Sequence, residues 1–157
     1  MRLQMLLVGK TRNLTYHQEI SEYHKRLNRY LGCDVKELRE EKPGRKETPE
    51  AFCRRQGPRL VEEFNKPAGL KILLDERGRS LSSHEFALFM QGALQGGHQS
   101  LVFFCGGPFG YAPALRETAD HLISLSPMTF PHEVARLLLF EQLYRSMTII
   151  NKEPYHY

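Results

Sequence analysis

The sequence lacks several patterns on which whole classes of protein depend. Its three cysteines are an odd number and form no Cys-x-x-Cys pair, which argues against a disulfide scaffold and a thiolate zinc site. No stretch approaches the roughly 20 consecutive apolar residues that span a bilayer. The apolar run near the start is too short for a secretory signal, and no small-residue cleavage site follows it. We therefore expect a soluble, cytoplasmic protein with no membrane contact.

Common catalytic signatures are missing as well. The seven histidines form no His-Glu-x-x-His motif and no tight cluster with acidic residues, so we expect no metal site. The chain has no Gly-x-Ser-x-Gly elbow, which marks many nucleophilic hydrolases. It also has neither the Gly-x-Gly-x-x-Gly fingerprint nor the phosphate-binding loop that ends in Gly-Lys-Ser/Thr.

The chain has 157 residues, of which 41% are hydrophobic, and this suits one domain with its own core. The formal charge of +4 is unevenly distributed. Residues 1–60 hold 14 Lys or Arg against 8 Asp or Glu, whereas residues 61–157 hold 8 against 10. A basic segment attracts polyanions such as nucleic acid. Solvated helix faces give the same charge pattern, so charge alone leaves both interpretations open.

The spacing of apolar residues alternates between strand and helix patterns along the chain. It predicts strands at 3–8, 33–38, 70–74, 101–105 and 122–125. Helical spacing predicts helices at 15–31, 48–64 and 131–149, one more that begins at Ser82 or Ser83, and a short one after Pro113. This alternation predicts an α/β fold with a mainly parallel sheet and helices on both faces.

Local residues refine these boundaries. Gly32 stands where the C-cap of the first helix would be. Gly57-Pro58 is expected to break or kink the second helix. Residues 40–49 combine charge with turn formers and predict an exposed, mobile surface loop.

Three chemically distinctive segments follow predicted strands. They are Leu74-Asp75, the glycine-rich stretch Gly106–Gly110, and Leu125–Phe130. In open parallel sheets, ligands bind outside the carboxyl ends of the strands. The sequence therefore predicts that these three segments line one crevice.

Each of the two longer segments has two interpretations. The glycines at 106, 107 and 110 either let the backbone approach a ligand or form a tight strand-to-helix turn. Ser126 and Thr129, with free N–H groups at a helix start, are suited to hold a polar ligand group. Alternatively, Thr129 caps the last helix and Pro131 occupies its first turn.

Two pairs of side chains stand four residues apart on the last predicted helix. His132 is paired in this way with Arg136, and Glu141 with Arg145. The surroundings of Glu141 and Arg145 are so apolar that we expect a partly buried salt bridge. Such a pair would support a subunit interface or orient a catalytic arginine.

Taken together, these segments closely resemble one family. The stretches at 103–110, 125–132, 135–136 and 141–145, with the closing Pro-Tyr-His at 154–156, are similar to the SPOUT-class methyltransferases. The matching family within this class modifies N3 of a pseudouridine in bacterial large-subunit ribosomal RNA. The resemblance covers the whole chain, and the motifs are specific as a set rather than singly.

The resemblance implies a single SPOUT domain over residues 1–157, with a deep trefoil knot within about 70–157. It implies a homodimer that uses S-adenosylmethionine and acts on 23S ribosomal RNA in the assembled 70S ribosome. The positions that match the family's cofactor site are Leu74, Gly106, Leu125, Ser126, Pro127, Met128, Thr129 and Phe130. The tail residues Tyr155 and His156 match the catalytic site, with His132, Arg136 and Arg145 as further candidates.

RNA recognition would then use the dimer and the basic residues of the first half, because the chain has no dedicated RNA-binding motif. These residues are Arg12, Lys25, Arg26, Arg29, Lys42, Arg45 and Lys46. The family usually carries a lysine or arginine after Tyr-His, whereas this chain has Tyr157. Two other functions remain open from the residues alone, namely a non-catalytic ribosome-binding module and another nucleotide-binding α/β enzyme.

Overall fold

The computed structural model describes residues 1–155 and centres on a sheet of five parallel strands. The strands lie in the order β2-β1-β4-β3-β5. Their bounds are β1 Arg2–Val8, β2 Gly32–Leu38, β3 Leu70–Ser80, β4 Ser100–Cys105 and β5 His121–Ser124. The helices are α1 Leu14–Leu27, α2 Pro49–Asn65, α3 Ser83–Gln95, α4 Pro113–Thr118 and α5 His132–Ile150. The predicted α/β fold with a parallel sheet is confirmed.

Helices cover both faces of the sheet, and alternate residues of the central strands feed two separate cores. On one face, Met5 and Phe103 pack with Phe140 of α5 and with residues of α1 and α3. On the other face, Phe104 packs with Phe64 of α2 and with residues of α4. All six residues of β4 are buried, as expected of a strand covered on both sides.

The first helix is shorter than its periodicity predicts. It ends at Leu27 rather than Leu31, and Gly32 begins β2 instead of capping the helix. Asn28 explains the early end. Its backbone N–H bonds to the carbonyl of His24, while its side-chain oxygen accepts the N–H of Cys33 at 2.9 Å. The side chain thus ties the helix end to the start of the next strand.

The second helix runs through Pro58 without interruption, so of the two predicted effects, a break or a kink, the break is wrong. Proline removes one N–H donor, and the hydrogen bonds on either side of it remain. Phe52 before the proline and Phe64 after it are both buried. Tertiary packing therefore holds the two halves as one helix.

The segment at 40–49 is exposed, as predicted, but it is anchored to α2. The Arg55 guanidinium pairs with Glu47 at 2.8 Å and with Glu41 at 3.0 Å, and it donates to the carbonyl of Lys42. Side chains of this segment thus converge on one arginine.

The third strand continues six residues beyond Leu74, where the apolar run stops. Its pairing with β5 shifts register between Leu74 and Arg79. Gly78 permits the continuation, because a Cβ there would stand 2.6 Å from backbone atoms of Leu122 and Ile123. Polar residues in this part of β3 hid it from a hydrophobicity argument.

The start of the third helix is confirmed at Ser82. The Ser82 side chain accepts the N–H of Glu85, and the Glu85 carboxylate accepts the N–H of Ser82 at 2.7 Å. Such reciprocal bonding satisfies two donors that a helix start leaves free.

Among residues 1–155, no helix combines the length and hydropathy that crossing a membrane requires.

Candidate functional site

Leu74-Asp75 within β3 and the segments that follow β4 and β5 line one cavity of about 890 Å³. This confirms the predicted crevice. Its volume falls within the range typical of small-molecule sites, ~300–1,000 Å³. The predicted cofactor positions found in its wall are Leu74, Gly106, Leu125, Ser126, Met128, Thr129 and Phe130. Pro127 is exposed and does not line it.

Tyr111 packs against the glycine-rich loop after β4 and holds its first residue, Gly106. The Tyr111 hydroxyl accepts the N–H of Gly106 at 2.7 Å. A Cβ at position 106 would lie 2.3 Å from the Tyr111 ring, so only glycine fits there. Gly110 has φ +78°, which glycine adopts without strain. The loop is therefore a tight turn, and it also lines the cavity.

An ion pair that the sequence did not reveal joins two walls of the cavity. The Asp75 carboxylate is buried after the first segment of β3 and pairs with Arg116 of α4. Arg116 also donates to the carbonyl of Tyr111 at 2.9 Å and lies 5.9 Å from that ring. The other Asp75 oxygen accepts the N–H of Arg77 at 2.9 Å. Asp75, Arg116 and Tyr111 thus form one connected network under the glycine loop.

The segment after β5 is held mainly by its own hydroxyls. Ser126 accepts the N–H of Met128 at 3.0 Å, and its carbonyl accepts the Ser124 hydroxyl at 2.8 Å. The predicted cap by Thr129 is wrong, because the residue before α5 is Pro131 and no side chain caps the helix. Thr129 instead lies exposed in the wall of the cavity.

The first turns of α5 are joined to the loop after β1. Glu133 accepts the N–H groups of Arg12 and Asn13, and the guanidinium of Arg136 donates to the carbonyl of Val8 and the hydroxyl of Thr11. Arg136 is 0% exposed and does not line the cavity, whereas His132 does. We interpret Arg136 as a buried side chain that holds the start of α5 against the end of β1 and the loop after it.

The predicted pair Glu141–Arg145 is present and partly buried, with exposed side-chain fractions of 18% and 25%. Tyr155 donates to Glu141 at 3.1 Å, and its ring centre lies 4.8 Å from the Arg145 guanidinium carbon. The ring of Tyr155 also stands edge-on to Tyr144 at 4.8 Å. Tyr155, which follows α5, therefore packs against Arg145 of that helix, and neither residue lines the cavity of the same chain. His156 and Tyr157 lie outside the described residues.

Burial controls the ionisation of two groups at the cavity. Burial raises the pKa of the Cys105 thiol to about 11, despite the opposing effect of nearby Arg136. It also raises the pKa of Tyr111 well above its usual range. Both groups are therefore neutral at physiological pH. No group of three or more potential metal ligands occurs in residues 1–155.

Comparison with known proteins agrees with this architecture. A family model described as "Predicted SPOUT methyltransferase" matches residues 1–156. Proteins named "Ribosomal RNA large subunit methyltransferase H" from Geotalea daltonii and Porphyromonas gingivalis are 47% and 40% identical to this chain over 157 residues, covering all of it and 100% and 99% of those proteins.

A solved structure also shares the fold. It is "a probable methylase family protein" from Haemophilus influenzae, with a TM-score of 0.54 and 10% identity, over 96% of this chain and 66% of that one. This likeness concerns the fold alone. The family match spans nearly every residue and includes all three segments that surround the cavity. The chain therefore belongs to the SPOUT methyltransferase family.

Proposed function

We propose that this chain methylates N3 of a pseudouridine in 23S ribosomal RNA, with S-adenosylmethionine as methyl donor. The assembled 70S ribosome would be its substrate, and the cytoplasm its place of action. The observation that carries the proposal is that Leu74-Asp75 and the loops after β4 and β5 line one cavity, in a chain similar over its full length to ribosomal RNA methyltransferases. That cavity is where a parallel sheet binds a small molecule.

The residues around the cavity fit S-adenosylmethionine. Apolar side chains of Leu74, Ile123 and Phe130 suit the adenine ring. The backbone of Gly107 and the hydroxyls of Ser126 and Thr129 would contact the ribose and amino acid parts. When bound, the cofactor supplies an electrophilic methyl group on sulfur. The protein's own task is to position the nucleobase in line and to exclude water.

The nucleobase must lose its N3 proton as the N–C bond forms. We propose that His156 accepts this proton, because histidine has a pKa near the working pH. His132 lies in the cavity wall and is the second candidate base. Tyr155 and Arg145, which pack against each other, would help to orient the tail.

We further propose a homodimer in which each tail reaches the cavity of the partner subunit. Tyr155 contacts Glu141 of α5 and does not line the cavity of its own chain. Apolar residues occur on all sides of α5, and Leu137 and Leu138 remain partly exposed. Leu81, Phe86 and Leu138 line an apolar cavity of about 280 Å³ that a second subunit would cover. A single domain with the knot within 70–157 completes this proposal.

The basic residues of the first half would contact ribosomal RNA. Arg26 is the least available of them, because it pairs with Glu22 at 2.9 Å and lies over Tyr144. Lys25, Arg29 and Lys42 are exposed or half-buried and form no ion pair within residues 1–155. Replacing these three with Glu should weaken ribosome association and leave cofactor affinity unchanged. Loss of both properties would indicate a damaged fold.

Two measurements test the function itself. Titration calorimetry should show binding of S-adenosylmethionine and none of NAD or ATP, which separates this proposal from another nucleotide-binding enzyme. Transfer of a labelled methyl group to ribosomes should fall ~10²-fold or more in His156→Ala, with cofactor binding intact. Full turnover by this variant would remove His156 from the role. A wild-type protein that binds ribosomes without methylating them would be the non-catalytic module instead.

A further inference from the structure

The cavity extends beyond the predicted cofactor positions. Its wall also contains Glu50 and Arg54 at the start of α2, Glu76 and Arg77 of β3, and Phe109, which packs on Phe52 of α2. We call this part the α2 side of the cavity. With a volume near the upper end of the usual range, the cavity has room for a second group beside a bound cofactor.

We propose that the α2 side of the cavity binds an unstacked nucleobase of the RNA substrate, with the base stacked on Phe109. This inference rests on the function proposed above. It assigns a substrate-binding role to residues outside the family-matched cofactor positions.

Phe109 is placed as a stacking platform. It is 42% exposed although it is a large apolar residue, and it lies in the cavity wall. Its ring is supported by Phe52 of α2, which is 2% exposed and stands edge-on at 5.3 Å. The Phe109 carbonyl accepts the thiol of Cys53 at 3.2 Å, which fixes the backbone as well. An aromatic ring that is held from below and open to a cavity is suited to stack a base.

The polar side chains of the α2 side are exposed and available. Within residues 1–155, the ion pairs include none of Glu50, Arg54, Glu76 and Arg77. Asp75 and Arg116 also line the cavity, but they already form an ion pair with each other. The available groups are therefore two guanidinium groups, which donate hydrogen bonds, and two carboxylates, which accept them.

This balance of charge favours a nucleobase over a phosphate. A phosphate site would collect positive charge, whereas the α2 side has equal numbers of arginine and glutamate side chains. A base edge presents both donors and acceptors, and unpaired bases in RNA are recognised by stacking plus such edge contacts.

The test is a series of Phe109 variants assayed for methyl transfer to ribosomes. Phe109→Ala and Phe109→Leu should raise the KM for ribosomes about 10-fold, as expected for loss of one stacked base. Phe109→Trp should stay near the wild-type KM. Leucine preserves the apolar contact with Phe52, so a purely structural role predicts a normal KM for Phe109→Leu. The Kd for S-adenosylmethionine and the melting temperature should be unchanged throughout.

Arg77→Ala should raise the same KM several-fold. Its matched control is Arg79→Ala, since Arg79 is exposed two residues along β3 and does not line the cavity. An unchanged KM in Phe109→Ala would overturn the inference. So would a Kd for S-adenosylmethionine that rises in step with KM, because Phe109 would then belong to the cofactor site. Failure of the wild type to bind S-adenosylmethionine or methylate ribosomes would instead refute the proposed function.

Discussion

Asp75 and Arg116 show how single side chains couple two loops of the cavity. Arg116 neutralises the buried carboxylate and at the same time holds the backbone of Tyr111. Removal of one partner from a buried ion pair leaves an uncompensated charge, which costs more than the pair contributes. The network therefore ties the position of the glycine loop to the end of the apolar part of β3.

We expect Arg116→Met to lower the free energy of unfolding by about 3 kcal/mol, because Asp75 loses its partner. The double variant Asp75→Asn/Arg116→Met should recover part of this loss. Urea denaturation measures the free energy of unfolding of both variants. Calorimetry should show weaker S-adenosylmethionine binding in the single variant. Strictly additive effects of the two substitutions would show that the pair is not coupled.

Because two thiols are buried, the free energy of unfolding is expected to depend on pH in the alkaline range. Burial raises the pKa of Cys33 to about 12 and that of Cys105 to about 11, against an ordinary value of 9.0. Above pH 9 the unfolded chain releases these protons while the folded chain retains them. The free energy of unfolding should therefore be insensitive to these groups below pH 9 and fall as the pH rises from 9 to 11.

Urea denaturation between pH 8 and pH 10.5 measures this decline. The variant Cys33→Ala/Cys105→Ala is the control and should lose less stability over the same interval. Equal slopes for the two proteins would contradict the assignment to these thiols.

At the scale of single residues, the sequence predicted which segments line the cavity but not which hydrogen bonds and ion pairs join their side chains. The positions of Leu74-Asp75 at the end of an apolar run and of Gly106–Gly110 after β4 follow from the apolar pattern, which is local. The bond from Tyr111 to Gly106 and the pair between Asp75 and Arg116 depend on where α4 lies against the sheet. The nearest sequence signal was a charged residue directly after a buried strand.

Among the secondary-structure elements, α5 links the cavity to the loop after β1, because its first turns contact that loop. Glu133 and Arg136 both form hydrogen bonds with that loop, and His132 of the same turn lines the cavity. A disturbance of the loop would thus be transmitted to the segment that precedes α5.

We expect Glu133→Ala to destabilise the fold by roughly 1–2 kcal/mol, because two backbone N–H groups lose their acceptor. The Kd for S-adenosylmethionine should rise several-fold. Glu117→Ala is a suitable control, since Glu117 is an exposed residue of α4. Denaturation curves and calorimetry provide the two readouts, and equal behaviour of both variants would refute the proposed coupling.

Element boundaries followed from sequence wherever local chemistry determines them. Ser82 and Glu85 form a capping box that depends on residues three apart, and the structure has it. The extension of β3 to Ser80 depends on pairing with β5, and the uninterrupted α2 depends on burial at both of its ends. Those two features arise from tertiary contacts, which a reading of local pattern does not contain.

For the whole molecule, the main prediction concerns assembly. The wild-type protein should have twice the mass of one 18.2 kDa chain in size-exclusion chromatography with light scattering. Leu138→Glu should shift it to the monomer mass, because a charge would enter the apolar cavity that we propose the partner covers. Methyl transfer should fall with it.

Leu14→Glu is the matched control, since Leu14 is an exposed leucine of α1 that lines neither cavity. It should leave the mass and the activity unchanged. A dimer that survives Leu138→Glu would place the interface elsewhere.

The strand order has a consequence for synthesis of the chain. β1 occupies an inner position of the sheet, yet one of its two neighbours is β4, which begins at residue 100. During translation the apolar β1 must therefore wait until about two thirds of the polypeptide has been made before that side is paired. Such distant pairing slows folding. A nascent chain arrested before β4 should consequently expose one edge of β1 to chaperones, and release of β4 should end that exposure.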